Sequence, residues 1–227
     1  MSIRLNEVSV RLADLDVLHD VSLDLDARTV AVVGENGSGK STFARLLGGL
    51  VARSTGELSI LGLDPARQAS ELRRRIALVF SNPDAQIVMP TVAEDVAFSL
   101  RPERLRPDDL RDRVGMALER FGLTDLAGRP SHDLSGGQKQ LLALCGAFIR
   151  RPELVVADEP TAYLDARNAK RVADHLFEDA GHKLVLVTHD LVLAQRCDVA
   201  VLFAEGRVVA VGPSSTVIDE YEAILRC

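Results

Sequence analysis

Apolar and polar residues alternate near the amino end of the chain, which is the pattern of strands with one buried face. Residues 3–10 alternate in this way, and so do residues 21–26, where acidic side chains occupy polar positions. Both segments predict strands of an antiparallel, half-exposed sheet. Residues 29–33 are apolar apart from Thr29. Such a run indicates a strand that is buried on both faces.

Further along, strand patterns alternate with helical ones. Strands are expected at 56–62, 76–80, 154–157 and 184–187, with a hairpin around 199–211. Helices are expected from residue 42 to Gly48-Gly49, over 66–75, over about 166–180, and from the hairpin to Arg226. The stretch 86–146 is mainly helical and predicts an inserted helical subdomain. Buried strands that alternate with helices predict an α/β fold with a parallel sheet.

A phosphate-binding loop follows the buried strand. The segment Gly34–Ser41 fits G-x-x-x-x-G-K-[ST] and lies between a predicted strand and a predicted helix, as this motif requires. Its glycines allow backbone N–H groups to converge on phosphate oxygens, and the helix start adds positive potential. Lys40 is expected to reach the β- and γ-phosphates, and the Ser41 hydroxyl to bind Mg²⁺. The alternative is an ordinary glycine-rich turn.

Candidate catalytic side chains end two other predicted strands. Asp158 and Glu159 follow the apolar run 154–157, and His189 follows the run 184–187. Carboxyl ends of parallel strands are where open α/β sheets bind ligands. Asp158 is therefore a candidate Mg²⁺ ligand, Glu159 a candidate for polarising water, and His189 a candidate donor to the γ-phosphate. Taken alone, the acids also fit a helix cap and the histidine a structural role.

A second anion-binding segment is Leu134–Gln140, with the sequence Leu-Ser-Gly-Gly-Gln-Lys-Gln. Ser135, Gly136 and Gly137 at a helix start place further N–H groups toward an anion. Because one ATP has one triphosphate, two such segments suggest that the second serves a nucleotide bound to another copy. The alternative is an ordinary capped helix.

Composition excludes several classes of protein. The 227 residues carry a net charge of −6, which is not the footprint of a protein that binds duplex nucleic acid. Cys145, Cys197 and Cys227 contain no C-x-x-C pair, which suits reduced thiols. The longest apolar run, near 141–149, is far shorter than the roughly 20 residues of a membrane span. Residues 1–7 lack the apolar core of a secretory signal. We expect a cytosolic chain that reaches a membrane through a partner.

The order of these motifs resembles the ATP-binding cassette ATPases over nearly the whole chain. In that family Gly34–Ser41 is Walker A, Leu134–Gln140 the signature, Ala157–Glu159 the end of Walker B, Asp165 part of the D-loop and His189 the switch histidine. The resemblance implies a P-loop NTPase fold of the RecA-like type. Its expected divisions are 1–85 with 147–227 for the β subdomain and core, and 86–146 for the helical subdomain. It also implies a head-to-tail dimer that closes on ATP and opens after hydrolysis.

The residues expected to act follow from this resemblance. The catalytic candidates are Glu159, His189 and Lys40, and the Mg²⁺ ligands are Ser41 and Asp158. The expected ATP-binding residues are Gly34, Asn36, Gly37, Ser38, Gly39, Lys40, Ser41, Thr42 and Gln86, together with Ser135, Gly136 and Gly137 acting on the partner's nucleotide. Three residues depart from the family pattern: Ser81 for the usual glutamine, Leu12 for an aromatic at adenine, and Tyr163 for a D-loop glycine.

The segments Ser81–Gln86 and Thr91–Phe98 resemble the Q-loop region of energy-coupling factor importers, which take up vitamins and transition-metal ions. In that group an integral membrane coupling protein docks here, and a separate membrane subunit binds the solute. The short carboxyl end is more similar to the biotin-type ATPase. This resemblance implies a location on the cytoplasmic face of the membrane and a second ATPase subunit, identical or paralogous.

Three rival functions belong to other classes. The first is a soluble cassette ATPase without a transporter, for example one that assembles metal clusters. The second, a chromosome-type ATPase, is disfavoured because no long heptad segment interrupts the chain. The third is a regulatory binder without hydrolysis, which Glu159 and His189 argue against. The solute itself is not readable from this chain.

Overall fold

The computed structural model describes residues 3–178 and 181–225. Its strands are β1 (Ile3–Leu12), β2 (Leu15–Leu25), β3 (Thr29–Gly34), β4 (Thr55–Ile60), β5 (Ile76–Phe80), β6 (Leu154–Asp158), β7 (Lys183–Val187), β8 (Val199–Ala204) and β9 (Arg207–Pro213). Its α-helices are α1 (Lys40–Leu47), α2 (Pro65–Arg75), α3 (Val92–Phe98), α4 (Pro107–Phe121), α5 (Gly136–Phe148), α6 (Ala166–Glu178), α7 (Leu191–Ala194) and α8 (Ser214–Leu225). The predicted ends at residues 179–180 and at Arg226, and the thiol of Cys227, lie outside the described residues.

The strands form two sheets, as the sequence predicts. A three-stranded antiparallel sheet has the order β2-β1-β4, and a six-stranded sheet has the order β5-β6-β7-β3-β8-β9. Strands β6, β7, β3 and β8 pair in parallel, and β9 adds an antiparallel edge. Every residue of β3 is buried, which is why its sequence is apolar rather than alternating. The predicted α/β fold class, with a parallel core and an antiparallel sheet, is confirmed.

The contacts divide the chain into two compact units. The first contains residues up to Ala77, Glu153–Glu159 and residues from His182 onward. The second contains Leu78–Pro152 and Pro160–Gly181. The division falls inside β5.

In the first unit, helices cover the parallel strands. Helix α1 packs on β3, β6 and β7, while α8 packs on β8 and β9. The side chains of Phe43 in α1 and Phe203 in β8 are almost completely buried, with ring centroids 5.1 Å apart. This contact anchors α1, and therefore the loop before it, to the sheet.

In the second unit, helices pack around aromatic side chains. Phe121 at the end of α4 contacts Phe148 of α5, with ring centroids 6.0 Å apart, and stacks on His175 of α6 at 4.3 Å. Arg171 also donates a hydrogen bond to the Phe121 carbonyl. Helices α4, α5 and α6 therefore share one core.

Two local features differ from the sequence prediction. Strand β2 begins at Leu15, well before residue 21, because register shifts in its pairing with β1 break the simple alternation. Asp20 within it has a φ of 48°, which is uncommon for a residue with a side chain. The short helix α7 follows Asp190, whose carboxylate accepts a hydrogen bond from Leu193 N at 3.0 Å. A single turn has too little periodicity to be predicted.

The start of β3 offers a stability test. Thr29 N and Thr29 Oγ1 both donate to Asp198 Oδ2, at 2.9 and 2.8 Å, and Thr29 is buried. Thr29→Val keeps the shape but removes one donor to a partly buried carboxylate. We expect the free energy of unfolding to fall by about 1.5–3 kcal/mol in chemical denaturation. Thr55→Val, at an exposed strand position, is the control. Equal effects of both changes would contradict the importance of this pair.

Candidate functional site

The loop Gly34–Ser41 has the backbone that a phosphate site needs. Gly34 has a φ of 141°, and a β-carbon there would overlap the Phe203 carbonyl oxygen. Gly39 has a φ of 102°, and a β-carbon there would lie 2.7 Å from Leu18 Cδ2. Both positions therefore require glycine. Gly39 is also the N-cap of α1, whose first N–H groups have no acceptor within the helix.

The side chain of Lys40 is held at the start of α1 by two backbone carbonyls. Its Nζ donates to Gly34 O at 2.8 Å and to Glu35 O at 2.7 Å, so the ammonium lies across the loop. Burial lowers the pKa of Lys40, while the nearby carboxylates of Glu159 and Asp158 act in the opposite direction. The loop thus concentrates positive charge and N–H donors in one place.

The rest of the loop lies around this charge. Ser38 is buried, and its Oγ has no hydrogen-bond partner among the described residues, so a bound anion would supply one. Asn36 and Gly37 lie on the exposed side of the loop, and a side chain at Gly37 would meet nothing within 4 Å. Thr42 is buried in the first turn of α1. These predicted nucleotide-binding residues are therefore collected in one turn and one helix start.

Ser41 and Asp158 are brought together from distant parts of the chain. Ser41 Oγ donates to Asp158 Oδ1 at 3.2 Å, because α1 packs against β6. Asp158 is buried at the carboxyl end of β6, and this burial raises its pKa, with the Ser41 hydrogen bond acting against the rise. A hydroxyl and a carboxylate oxygen side by side match the oxygen ligands that Mg²⁺ prefers.

Glu159 and His189 also meet. His189 Nδ1 lies 2.8 Å from Glu159 Oε2, and the histidine side chain is 71% exposed whereas the glutamate is 21% exposed. Glu159 has a φ of 51°, a strained conformation for glutamate, and its N–H donates to Val187 O at 2.9 Å. With this backbone conformation the chain leaves β6 directly after Asp158. A carboxylate and an imidazole thus lie within hydrogen-bond distance of each other at one sheet edge.

The predicted second anion segment is a helix start in the other unit. Ser135 is the N-cap of α5: its Oγ accepts from Gln138 N at 3.3 Å, and Gln138 Oε1 accepts from Ser135 N at 2.9 Å. The Ser-x-x-Gln pattern signals this capping box, so the segment is a capped helix, and its role toward an anion stays a prediction. Ser135 and Gly136 are exposed, whereas Gly137 is buried.

The side chain of Gln86 forms hydrogen bonds with the backbone of the preceding strand, β5. Its Oε1 accepts from Phe80 N at 2.8 Å, and its Nε2 donates to Leu78 O at 2.9 Å. Sequence reasoning missed a neighbour, Gln140, which is buried in α5 and donates to Phe80 O at 3.0 Å. The two side chains bind both polar groups of one residue, so they tie the end of β5 to α5. A role of Gln86 toward nucleotide stays a prediction.

An ion pair reinforces the same junction. Lys139 Nζ lies 2.7 Å from Asp84 Oδ1, which joins the 3₁₀ turn Pro83–Ala85 to the first turn of α5. No sequence pattern connects these residues, because they are 55 positions apart. The loop that follows β5 is therefore fixed to the predicted signature helix.

Comparison with known proteins identifies the family. The sequence profile described as ABC transporter matches residues 18–162, well over half of the chain. This chain belongs to the ABC transporter family of ATP-binding proteins.

Relatives of this ABC protein support the same family assignment. It is 44% identical to a Deinococcus radiodurans protein named as an ABC transporter ATP-binding protein, and the match covers 96% of each chain. It is 34% identical to the biotin transport ATP-binding protein BioM of Rhizobium etli, over 99% of both. It is 34% identical to the energy-coupling factor transporter ATP-binding protein EcfA1 of Bacillus subtilis, over 94% of this chain and 78% of the relative.

Solved structures agree as well. CbiO1 of Clostridium perfringens, described as part of the ABC transporter complex cbiONQ, has a TM-score of 0.85 at 31% identity, over 99% of this chain and 93% of its own. The cassette MJ0796, described as a dimer in a post-hydrolysis state with ADP and Pi, has a TM-score of 0.83 at 26% identity, over 93% and 98%. The chain is thus an ATPase and the ATP-binding subunit of an ABC transporter.

Mg²⁺ fits the oxygen pair of this ABC ATPase. Among residues 3–178 and 181–225, no group of three or more His, Cys, Asp or Glu side chains could hold a metal ion by itself. Ser41 and Asp158 supply two oxygen donors, which suits an ion that keeps water and substrate phosphates as its other ligands. The donor set therefore matches a magnesium ion that arrives with ATP.

Lys40 gives a direct test of the ATP site. Lys40→Ala removes a cation that lies across the phosphate-binding loop, so we expect affinity for magnesium-ATP to fall about 10- to 100-fold. Isothermal calorimetry measures this affinity, and circular dichroism checks the fold. Lys183→Ala is the control, since Lys183 pairs with Asp26 on the surface. Unchanged ATP affinity in Lys40→Ala would remove Lys40 from the site.

Proposed function

We propose that this ABC ATPase drives an importer of the energy-coupling factor type, with biotin as the favoured solute and a transition-metal ion as the other candidate. Its similarity to BioM over 99% of both chains supports the biotin type, and its similarity to EcfA1 supports an importer of the energy-coupling factor type. The observation that carries the motor function is the meeting of Glu159 and His189 directly after the Asp158–Ser41 pair.

The proposed chemistry uses each of these side chains once. Lys40 and the N–H groups of Gly34–Ser41 hold the β- and γ-phosphates. Ser41 and Asp158 would hold Mg²⁺, which when bound neutralises charge that develops on the phosphates. Glu159 orients a water for attack on the γ-phosphate and accepts its proton, and His189 holds the Glu159 carboxylate through Nδ1.

A second subunit completes the proposed site. The first turn of α5 presents N–H groups without intrahelical acceptors, next to an exposed Ser135 and an exposed Gly136. We assign these groups to an ATP held by the Gly34–Ser41 loop of another subunit, an identical copy or a paralogue. The dimer named for the MJ0796 structure is a precedent for two such chains assembling.

The proposed membrane contact lies in the segment 81–98. Val88 there is 61% exposed, while its N–H and that of Met89 both donate to the buried Asp95 carboxylate. The segment is therefore fixed in shape and still presents an apolar side chain to solvent. No helix among the described residues could cross a bilayer. We place the chain at the cytoplasmic face of the membrane, bound to an integral coupling protein whose complex includes a solute-binding subunit.

Glu159 is the first test of this function. Glu159→Gln keeps the size and a hydrogen bond to His189 but removes the base, so we expect the rate of ATP hydrolysis to fall about 10²- to 10⁴-fold. ATP binding should persist, and an ATP-bound dimer should accumulate. Phosphate release and light scattering measure the two effects, with Glu119→Gln, at an exposed position of α4, as the control. Normal hydrolysis in Glu159→Gln would exclude Glu159 as the base.

Val88 is the second test. We expect the unmodified chain to co-purify with an integral membrane protein from detergent-solubilised membranes. Val88→Asp places a charge on the proposed docking surface, so it should lose this partner and keep its soluble ATPase activity. Met116→Asp is the matched control, since Met116 is 69% exposed on α4. If the unmodified chain brings no membrane protein, a soluble ATPase, for example for metal-cluster assembly, is favoured instead.

A further inference from the structure

Gly137 is buried because another side chain covers it. A β-carbon at position 137 would lie 2.5 Å from Asn168 Nδ2 and 2.9 Å from Asn168 Cβ. The amide of Asn168 in α6 thus rests against the first turn of α5. Gly136, one residue earlier, is exposed, and a β-carbon there would meet nothing within 4 Å. The two glycines therefore have different environments: Gly136 faces open space and Gly137 faces α6.

Asn168 is itself fixed by an acidic residue. Its Nδ2 donates to Asp165 Oδ2 at 2.6 Å, and Asp165 Oδ1 accepts from the N–H groups of Arg167 and Asn168, each at 3.0 Å. These bonds hold the pKa of the Asp165 carboxylate below its usual value. Asp165 caps α6 and ends the loop that follows Glu159. Asn168 therefore connects this loop to the turn that carries Ser135 and Gly136.

We propose that Asn168 is a positioning residue that makes the first turn of α5 and the loop ending at Asp165 move as one piece toward a second subunit. This inference rests on the proposed ATP-bound dimer and deepens it. Asn168 lies outside every motif identified in the sequence, and its side chain is only partly exposed. Asn168 holds Ser135 and Gly136 in a fixed orientation relative to the loop that ends at Asp165. It leaves their exposed side free for the second subunit.

The Asn168 amide fixes the distance between the starts of α5 and α6. It lies between the Asp165 carboxylate and the Cα of Gly137, so the two helix starts cannot come closer together. Without the amide, the Asp165 carboxylate loses a donor and the turn loses its lateral contact. The turn then has to be ordered when the second subunit binds, and this ordering reduces affinity.

The test measures dimer formation separately from ATP binding. In the Glu159→Gln background, Asn168→Ala should weaken the magnesium-ATP-dependent dimer about tenfold or more, the size of one lost hydrogen bond to a charged group. Analytical ultracentrifugation gives the dimer dissociation constant. At dilutions where the protein is monomeric, affinity for ATP should stay within about twofold, because Lys40 is untouched. Lys170→Ala, an exposed change on the same helix, is the matched control.

Two further variants sharpen the result. Asn168→Asp keeps the volume of the side chain but places its carboxylate next to that of Asp165. Because the two negative charges repel, this variant should weaken the dimer more than Asn168→Ala. Gly137→Ala should weaken it in the presence of Asn168, and the effects of Gly137→Ala and Asn168→Ala should be strongly non-additive, because they break one contact.

The outcomes separate this inference from the proposed function. A dimer dissociation constant of Asn168→Ala within twofold of the parent overturns the role of Asn168, and so does additivity with Gly137→Ala. An equal loss of ATP affinity in the monomer also overturns it, since Asn168 would then serve folding alone. Absence of any ATP-dependent dimer in the Glu159→Gln parent refutes the proposed dimer, and with it this inference.

Discussion

The register of the parallel strands is the constraint on which the ATP site depends. Val187 of β7 pairs with Val32 of β3 on one side and with Asp158 of β6 on the other. Because the strands are parallel and buried, their carboxyl ends must lie at one edge. The loop after β3, the acids after β6 and the histidine after β7 therefore meet. A shift of one residue in β6 would turn Asp158 away from Ser41.

The two acids at this edge differ in environment because β6 ends between them. Asp158 is still in the strand, buried and bonded to Ser41, whereas Glu159 leaves it with a positive φ. A strained residue persists only where its surroundings fix it, and here the Val187 carbonyl and the His189 imidazole do so. Adjacent carboxylates thereby acquire different environments, which suits the separate roles that we propose for them, one toward a cation and one toward water.

In the helical unit, the first turn of α5 receives contacts from two directions. Asp84 and Phe80 hold it through Lys139 and Gln140, and Asn168 covers Gly137. The remaining side, with Ser135 and Gly136, is exposed. Such an arrangement fixes the turn from two sides and leaves one face open. Tyr163, in the loop that ends at Asp165, has a φ of 62° and is 97% exposed, so this departure from the family pattern is presented to solvent.

The sequence by itself determined the order of the strands and of the helices apart from α7, the α/β fold class and the phosphate-binding loop. These depend on local patterns, namely apolar runs, alternation, and glycines at fixed spacing next to a lysine. Long-range contacts were decided only by the tertiary structure. The pairing of Glu159 with His189 and the contact of Asn168 with Gly137 join residues that no local sequence pattern connects. The shift in β2 and the hydrogen bonds of Gln86 likewise depend on which backbone groups lie nearby in the folded chain. Which side chains meet depends on strand register and helix packing, and those are properties of the whole chain.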